Sequence, residues 1–250
     1  CVKTIVHMAQ SPDEEVARQA VGGLANLAED VETHEYIAKA EGGKCLVSLQ
    51  QHTSLDIQRE ATRAIANLLS SFRHQATIIE HGIPGLVSLA YSEDEECCYH
   101  AALSFRKLSP NLKSHPIMVY AGGFKALFYL LERPHLNTQK QAASALRDIC
   151  ANPDYKLKCA EEGGIDACIL LMRQPEQQLQ ALGMAALRHL SSNDAIKRPI
   201  IEHRALRPAL KAAQHKNEDL HLQCSGLLAN VSELQQNQVT MMEDGACVGL

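Results

Sequence analysis

The chain has 250 residues, a formal net charge of −5 and no tryptophan. A weakly negative chain is unlike the proteins that bind nucleic acid through a basic surface, and no apolar run approaches the roughly 18 residues that a membrane-spanning helix needs. The nine cysteines form no C-x-x-C pair, so the sequence indicates neither a zinc site nor a thioredoxin-like redox motif.

A pattern of about forty residues recurs six times along the chain, which is typical of helical solenoids. The repeated units run over residues 1–42, 43–82, 83–122, 123–163, 164–204 and 205–250. One unit is too small to bury its own apolar face, whereas stacked units share a continuous core and expose a long surface. We therefore predict an all-α fold, organised as one solenoid over residues 1–250.

The first unit begins with an apolar segment over residues 1–10, and its long helix follows a capping signal. In Ser11-Pro12-Asp13-Glu14, the Ser11 side chain is predicted to accept from a free backbone amide while Glu14 reaches back to the cap. The same signal recurs at Ser92-Glu93-Asp94-Glu95 in the third unit. We predict serine N-caps at both places.

The second unit shows the order of helices most clearly. A short apolar segment covers Lys44–Gln51, and a longer helix is predicted over Asp56–Ser70 from apolar residues at helical spacing. A third, shorter helix is predicted over His74–Glu80. Each unit therefore contains three helices of unequal length.

A turn residue is predicted to end the shortest helix of each unit in a left-handed conformation, which glycine adopts without strain. This column contains Gly42, Gly82, Gly122, Gly163, Arg204 and Gly245.

Two columns of the long helix are predicted to set the packing between units. The apolar core column contains Leu24, Ile65, Phe105, Leu146, Leu187 and Leu228. The second column has small side chains, which let neighbouring helices approach closely, and contains Ala20, Ala61, Ala101, Ala142, Gly183 and Cys224.

A polar column lies inside this apolar frame at separations of 40 or 41 residues. It contains Asn26, Asn67, Lys107, Asp148, His189 and Asn230. A side-chain amide can donate and accept at once, so the three asparagines are suited to pair with a peptide backbone. Lys107, Asp148 and His189 lack that pair of functions, and a histidine at this position would make binding depend on pH.

The repeated unit resembles an armadillo repeat, whose long helix carries the signature A-x-x-A-L-x-N-L. The signature stands here at Ala20–Leu27 as AVGGLANL and at Ala61–Leu68 as ATRAIANL, and the sixth unit keeps LANV at Leu228–Val231. The resemblance covers essentially the whole chain. It implies a right-handed alpha-alpha superhelix of about six units, with the third helices lining a concave groove that binds extended peptides.

The resemblance places a candidate peptide-binding groove on these helices. It contains Arg18, Asn26, Arg59, Arg63, Asn67, Tyr99, Lys107, Lys140, Asp148, His189 and Asn230. Nuclear-import members of the family use a tryptophan four residues before the asparagine, and this chain has none. The basic residues instead resemble the groove of beta-catenin, which takes acidic peptides. We predict that an acidic or mixed segment binds across Arg18, Arg59, Arg63 and Lys107 with salt-sensitive affinity.

The same basic residues also fit an ordinary solvated helix face, because Glu60 and Asp148 dilute the positive stripe. The far half of the groove is predicted to be apolar and open, and to accept a helix or an aromatic anchor. This part contains Leu103, Ala181, Ala185, Leu222 and Gly226.

No enzyme motif occurs in the sequence, neither a phosphate-binding glycine loop nor a nucleophile elbow nor a zinc-protease helix. We therefore predict a non-enzymatic adaptor that binds a protein or peptide partner, without a cofactor, a bound metal, nucleic acid or membrane insertion. The alternative is a structural scaffold segment of a ciliary, cytoskeletal or vesicle-associated assembly, packed through its flanks and ends.

Cysteines in apolar repeat positions favour a reducing compartment, and we predict the cytosol, with the nucleus or a ciliary or cytoskeletal compartment as variants. The vicinal Cys97–Cys98 pair is the one candidate for redox chemistry. Neither end of the chain carries a polar cap of the kind that closes a solenoid. The sequence therefore predicts a piece of a longer array.

Overall fold

The computed structural model describes residues 1–243, and within them every regular element is helical. The predicted all-α class is confirmed. Contacts divide the chain into two compact units, Cys1–Ala142 and Ala143–Leu250, with the division inside a helix. The single solenoid over residues 1–250 and its six boundaries stay predictions. Gly245 of the turn column and the segment 246–250 lie outside the described residues.

Unit 1 holds ten complete helices. They are α1 Val2–Met8, α2 Glu14–Leu27, α3 His34–Lys39, α4 Gly42–Leu49, α5 Leu55–Leu68, α6 Phe72–Thr77, α7 Ile83–Leu89, α8 Glu95–Leu108, α9 Ser114–Tyr120 and α10 Gly123–Glu132.

Helix α11, Leu136–Ala151, crosses the division, and the described part of unit 2 holds seven further helices. They are α12 Lys156–Glu161, α13 Gly164–Met172, α14 Gln177–Ser191, α15 Asp194–Glu202, α16 Leu206–Ala212, α17 Glu218–Ser232 and α18 Gln235–Glu243.

The helices repeat in the predicted order of one short, one medium and one long element. In the second repeat, α4 and α5 lie within two residues of the segments predicted over Lys44–Gln51 and Asp56–Ser70. The short helix differs from its prediction, because α6 runs through a π-helical turn, Ile78–Gly82, directly into α7. The long helices α2, α5 and α8 pack side by side in unit 1, as α14 and α17 do in unit 2.

Aspartates, not serines, cap the long helices α2 and α8. Asp13 accepts hydrogen bonds from the backbone amides of Glu15 and Val16, and Asp94 accepts one from Cys97. The serine two residues earlier has another role, since Ser92 Oγ accepts from the Asp94 amide at 3.1 Å. The predicted serine caps were therefore wrong by two residues, because the chain reaches an extended cap conformation only at the aspartate.

The predicted turn column proves to be two adjacent columns. Left-handed backbone occurs at Glu41 (φ 58°), Gly122 (φ 91°), Gly163 (φ 109°) and Arg204 (φ 56°). Gly82 has φ −92° within a continuous helix, so its predicted left-handed turn was wrong.

The neighbouring column requires glycine for a different reason, which is close packing. A Cβ added at Gly42 would lie 2.6 Å from Ile37 Cγ2, and one added at Gly123 would lie 2.5 Å from the Met118 carbonyl oxygen. Gly82 belongs to this group, since its Cβ would lie 3.0 Å from Ile78 Cγ2. Spacing in the sequence alone did not distinguish these two columns.

Both predicted packing columns of the long helix are confirmed. All six apolar core residues are buried, from Leu24 in α2 to Leu228 in α17. The small column is also buried, and Gly183 shows why its side chains are small. A Cβ at that position would lie 2.6 Å from Leu171 Cβ and 3.0 Å from the Cys168 carbonyl oxygen, so α14 crosses α13 with almost no space between them.

A buried polar column that the sequence analysis overlooked recurs beside the short helices. It contains His34, His74, His115, Lys156, Lys197 and Asn237. The histidines of this column bond to backbone carbonyls, as in the 2.8 Å contact between His34 Nε2 and the Ala28 oxygen just after α2. His34 and His115 thereby satisfy carbonyl groups just after the C-terminal ends of α2 and α8, which helix ends leave without partners.

The cysteines pack as small apolar side chains. Those at 45, 97, 98, 150, 159, 168 and 224 are buried free thiols. Burial raises the pKa of Cys97 to about 12 and also raises that of Cys98. A thiol in such surroundings is a poor nucleophile, so the structure gives the vicinal pair no redox role.

Candidate functional site

The predicted groove residues of unit 1 other than Lys140 lie on α2, α5 and α8. Small residues on these helices allow the side-by-side packing described above, and the polar column turns away from the core. Asn26 is exposed, and Asn67 and Lys107 are half-buried. The face therefore presents its polar groups to solvent, as the repeat pattern predicts.

An open cleft of about 550 Å³ lies between α2 and α5. It brings together four of the predicted site residues, Arg18, Asn26, Arg59 and Arg63. Gly22 and Gly23 line the same cleft, and a Cβ added to either glycine would meet no atom within 4 Å. We call this surface the α2–α5 cleft. Its floor is bare helix backbone, which leaves room for a ligand to approach closely.

Arg59 is held by acidic neighbours. Its Nη2 lies 2.6 Å from Asp94 Oδ2 and its Nη1 lies 3.0 Å from Asp56 Oδ1, with Glu96 at 3.4 Å. Burial tends to raise the pKa of Asp94, but the hydrogen bonds from Arg59 and from the Cys97 amide outweigh it and lower that pKa. Arg59 therefore joins α5 to the start of α8.

Arg63 joins α5 to the neighbouring helix on the other side. It contacts Glu29 at 2.6 Å and Glu60 at 2.7 Å, and its Nη2 donates to Asn26 Oδ1 at 2.8 Å. Within the described residues, the ion pair of Arg18 is with Glu15 of its own helix, at 2.6 Å. The positive stripe is thus largely neutralised within the protein, and Arg18 has the fewest acidic partners of the three arginines.

The polar column divides into residues with and without internal partners. Lys107 Nζ donates to the Ala66 carbonyl oxygen at 2.8 Å and to Ser70 Oγ at 2.9 Å. Burial, with help from Arg106, lowers the pKa of Lys107. Among the described residues, the Asn67 amide group has no hydrogen-bond partner. Asn67 can therefore pair with a ligand without breaking an internal bond.

A second hollow, of about 620 Å³, adjoins the α2–α5 cleft along α8. Its aromatic side is formed by Tyr99, whose ring lies 5.2 Å from His100 and 5.9 Å from His135. The acidic residues Glu60, Glu95 and Glu96 line it together with Arg63. We call it the tyrosine hollow. Carboxylates beside an aromatic ring suit a cationic side chain.

His100 at the tyrosine hollow is expected to make the protein acid-sensitive. Burial and the neighbouring Arg63 lower the pKa of His100 to about 4, whereas an unfolded histidine titrates near 6.5. The unfolded chain therefore binds the extra proton between these values. The stabilisation from His100 is complete above pH ~6.5 and is lost as the pH falls towards about 4.

Urea unfolding at about pH 7.5 and about pH 5, for the wild type and His100→Gln, measures this effect. We expect the wild type to lose more stability than the variant over that interval. Equal losses in the two proteins would show that other groups cause the acid sensitivity.

Two of the three predicted site residues of unit 2, Asp148 and Asn230, have partners within the protein. Asp148 accepts from Arg147 at 2.6 Å, and Asn230 Nδ2 donates to Ser191 Oγ at 2.9 Å and to the Arg188 carbonyl. Burial and the nearby Arg188 lower the pKa of His189. Lys140 is half-buried on α11 at the end of unit 1.

The predicted openness of the far apolar half is wrong at two residues of unit 2. Ala185 is buried, and a Cβ at Gly226 would lie 2.6 Å from Arg188 Cδ. The Arg188 side chain lies across the position that the helix pattern leaves empty. Leu222 is exposed as predicted.

Several groups at the site were missed from the sequence. Gly22 was placed on the groove face by its spacing from Asn26, but Gly23 was assigned only to the repeat signature, and the open backbone at both glycines was not foreseen. Asp94 and Glu95 were interpreted only as parts of a helix-capping signal. His135 precedes α11 in a loop, and no repeat spacing indicated its contact with Tyr99.

Comparisons with known proteins support the resemblance to armadillo repeats. The family model for the armadillo/beta-catenin-like repeat matches residues 1–29. Importin subunit alpha-1b of Oryza sativa subsp. japonica is 29% identical over 164 residues, which are 63% of this chain and 30% of that protein. This chain thus spans about a third of that relative.

Two solved structures are similar over nearly the whole chain. The crystal structure of an engineered protein has a TM-score of 0.88 at 27% identity, and the match covers 98% of this chain and 61% of that one. A designed armadillo repeat protein in complex with the peptide (KR)4 has a TM-score of 0.81 at 24% identity, over 92% and 99% of the two chains.

No helix within residues 1–243 is both long enough and apolar enough to cross a membrane. In the same part of the chain, no three His, Cys, Asp or Glu side chains are grouped so that they could hold a metal ion. The three-helix repeat, the A-x-x-A-L-x-N-L signature and the matches above show that this chain has the armadillo-repeat fold.

Proposed function

We propose that this chain is a non-enzymatic adaptor module that binds an extended peptide segment across α2, α5 and α8. The observation that carries the proposal is the α2–α5 cleft with its bare floor. Glycine inside a helix costs about 1 kcal/mol relative to alanine. Packing gives no reason for that cost at Gly22 or Gly23, because an added Cβ would meet nothing. Space for a ligand backbone is such a reason.

The polar groups around the floor suit a peptide. The free amide of Asn67 can donate to and accept from a main-chain peptide unit whatever its sequence. Asn26 is available in part, since only its Oδ1 is engaged by Arg63. Two amides on neighbouring helices can hold an extended segment that crosses both.

The charges favour a segment of mixed sign. Arg18 at the α2–α5 cleft attracts an acidic side chain, because within residues 1–243 it forms an ion pair with Glu15, an exposed glutamate of its own helix, and with no residue of another helix. Glu95 and Glu96 are exposed at the tyrosine hollow beside Tyr99, and they attract a basic side chain. A peptide with acidic residues followed by basic ones along the face meets both demands.

The relatives support peptide binding but not the same peptide. The designed armadillo protein binds the wholly basic (KR)4. In this chain the position four residues before the column asparagine holds Gly22 and Arg63, and neither residue offers a carboxylate to a purely basic segment.

Fluorescence anisotropy with labelled peptides tests the proposal. The probes are a run of glutamates followed by a run of lysines, the same residues in reverse order, and (KR)4. We expect one mixed order to bind most tightly and its affinity to fall with added salt. Gly22→Leu, which fills the floor, and Arg18→Glu should each weaken binding by about tenfold, which is about 1.4 kcal/mol.

Two controls separate binding from folding. Gly22→Leu should leave the fold as stable as the wild type or more stable, since leucine favours a helix over glycine. Arg198→Glu is the matched control for Arg18→Glu, because Arg198 is likewise an arginine paired within its own helix, to Glu202 at 2.8 Å. A wild type that binds no mixed peptide more tightly than Gly22→Leu does would refute the proposal.

A structural scaffold within a larger assembly is the second candidate function. It is favoured by a separate cleft in unit 2, between α13 and α16. None of the residues that line this cleft belongs to the polar column. For either function we propose a cytosolic location, supported by the buried free thiols.

A further inference from the structure

A separate cleft in unit 2 is lined by none of the residues assigned above to peptide binding. It lies between the C-terminal end of α13, the loop after it and α16, and has a volume of about 650 Å³. Met172, Pro208 and Ala212 line it and are themselves buried. The floor of this α13–α16 cleft is therefore apolar.

The cleft is held in shape by the loop and by proline. Gln180, which is 6% exposed, donates from Nε2 to the Gln174 carbonyl oxygen at 2.7 Å. Pro175 in the loop and Pro208 in α16 restrict the backbone on both sides. A preformed cleft of this kind binds without a large cost of ordering.

The rim of the α13–α16 cleft is basic and contains no acidic side chain. Arg173, Lys211 and His215 are exposed on it, and in residues 1–243 none of the three takes part in an ion pair. This differs from the α2–α5 cleft, where Arg59 and Arg63 each contact acidic residues of the protein. In a chain of net charge −5, three neighbouring basic side chains without an ion pair in the described residues are a local exception.

We propose that the α13–α16 cleft docks an acidic peptide segment of a partner protein, with one apolar side chain seated between flanking carboxylates. The apolar side chain covers Met172 and Pro208, and the carboxylates pair with Arg173 and Lys211. Charge complementarity selects the acidic segment, and the apolar floor selects the anchor. A nucleic acid would need a longer run of cations than this rim offers.

Anisotropy with a fluorescent EEFEE peptide tests the docking site. Arg173→Glu/Lys211→Glu should weaken binding by at least about tenfold. The EESEE peptide, which has no anchor, should also bind about tenfold more weakly to the wild type. The matched control is Lys113→Glu/Lys125→Glu, an equal change of charge at two exposed lysines of unit 1. It should bind EEFEE like the wild type.

The Gly22→Leu variant separates this proposal from the peptide-binding function, because it should bind EEFEE with unchanged affinity. Equal binding of EEFEE and EESEE would overturn the proposal, since attraction of charge alone would explain it. Equal binding by the wild type and the Arg173/Lys211 variant would overturn it as well. Binding to vesicles that contain phosphatidylserine is measured for the same proteins. If Arg173→Glu/Lys211→Glu weakens binding to the vesicles but not to EEFEE, the cleft would bind a lipid surface and not a peptide.

Discussion

Replacing Gly183 by valine is expected to lower the free energy of unfolding by about 3 kcal/mol. The glycine lies where α14 crosses α13, and an added Cβ would lie 2.6 Å from Leu171 Cβ and 3.0 Å from the Cys168 carbonyl oxygen. Backbone cannot yield as a flexible side chain can, so the two helices must separate. Urea unfolding followed by circular dichroism measures the change.

Gly23→Val is the matched control for this substitution. Gly23 also lies inside a long helix, but an added Cβ there would meet no atom within 4 Å. We expect its effect to stay within about 0.5 kcal/mol, which is the scale of helix propensity alone. Similar losses for Gly183→Val and Gly23→Val would contradict the close crossing of α13 and α14.

Replacing Asp94 by alanine is expected to cost about 3 kcal/mol, against about 1 kcal/mol for Asp13→Ala. Both aspartates cap long helices by accepting backbone amides. Only Asp94 also binds an arginine of the preceding long helix, through two contacts from Arg59 at 2.6 and 3.1 Å. The difference between the two variants therefore measures the link between α5 and α8.

A double-mutant cycle with Arg59→Ala checks the origin of that difference. If the Arg59–Asp94 pair is responsible, Asp94→Ala should cost no more than Asp13→Ala once Arg59 is already alanine. The same chemical unfolding experiment gives all the values. If Asp94→Ala lowers the free energy of unfolding as much in the Arg59→Ala variant as in the wild type, the cap itself, and not the ion pair, stabilises α8.

Much of the fold could be predicted from repetition. The pattern of one helical segment does not identify its buried positions clearly. Six aligned copies show which positions are always apolar or always small. Leu24 and its equivalents were identified as core in this way, and Gly183 was placed at a helix crossing. Capping was predicted less well, because Ser11 and Asp13 are both good caps, and the choice between them depends on where the backbone becomes extended.

The candidate site was predicted only in outline. Sequence spacing placed Arg59 and Arg63 on one face, but it could not show that Asp94 and Glu29 of neighbouring repeats neutralise them. Those contacts join residues 34 or 35 positions apart, and their existence depends on side-chain reach across two packed helices. The sequence therefore overstated the positive charge of the face and gave no sign of the tyrosine hollow.

By itself, the sequence determined the helical class, the three-helix repeat and the buried rows, because each follows from a period that local chemistry enforces. The tertiary structure alone decided which charges are already paired, which glycines face open space and which clefts exist. Those properties depend on distances between residues far apart in the chain, and a period does not specify distances. The bare floor at Gly22 and the unpaired rim at Arg173 became visible only when neighbouring helices were in place.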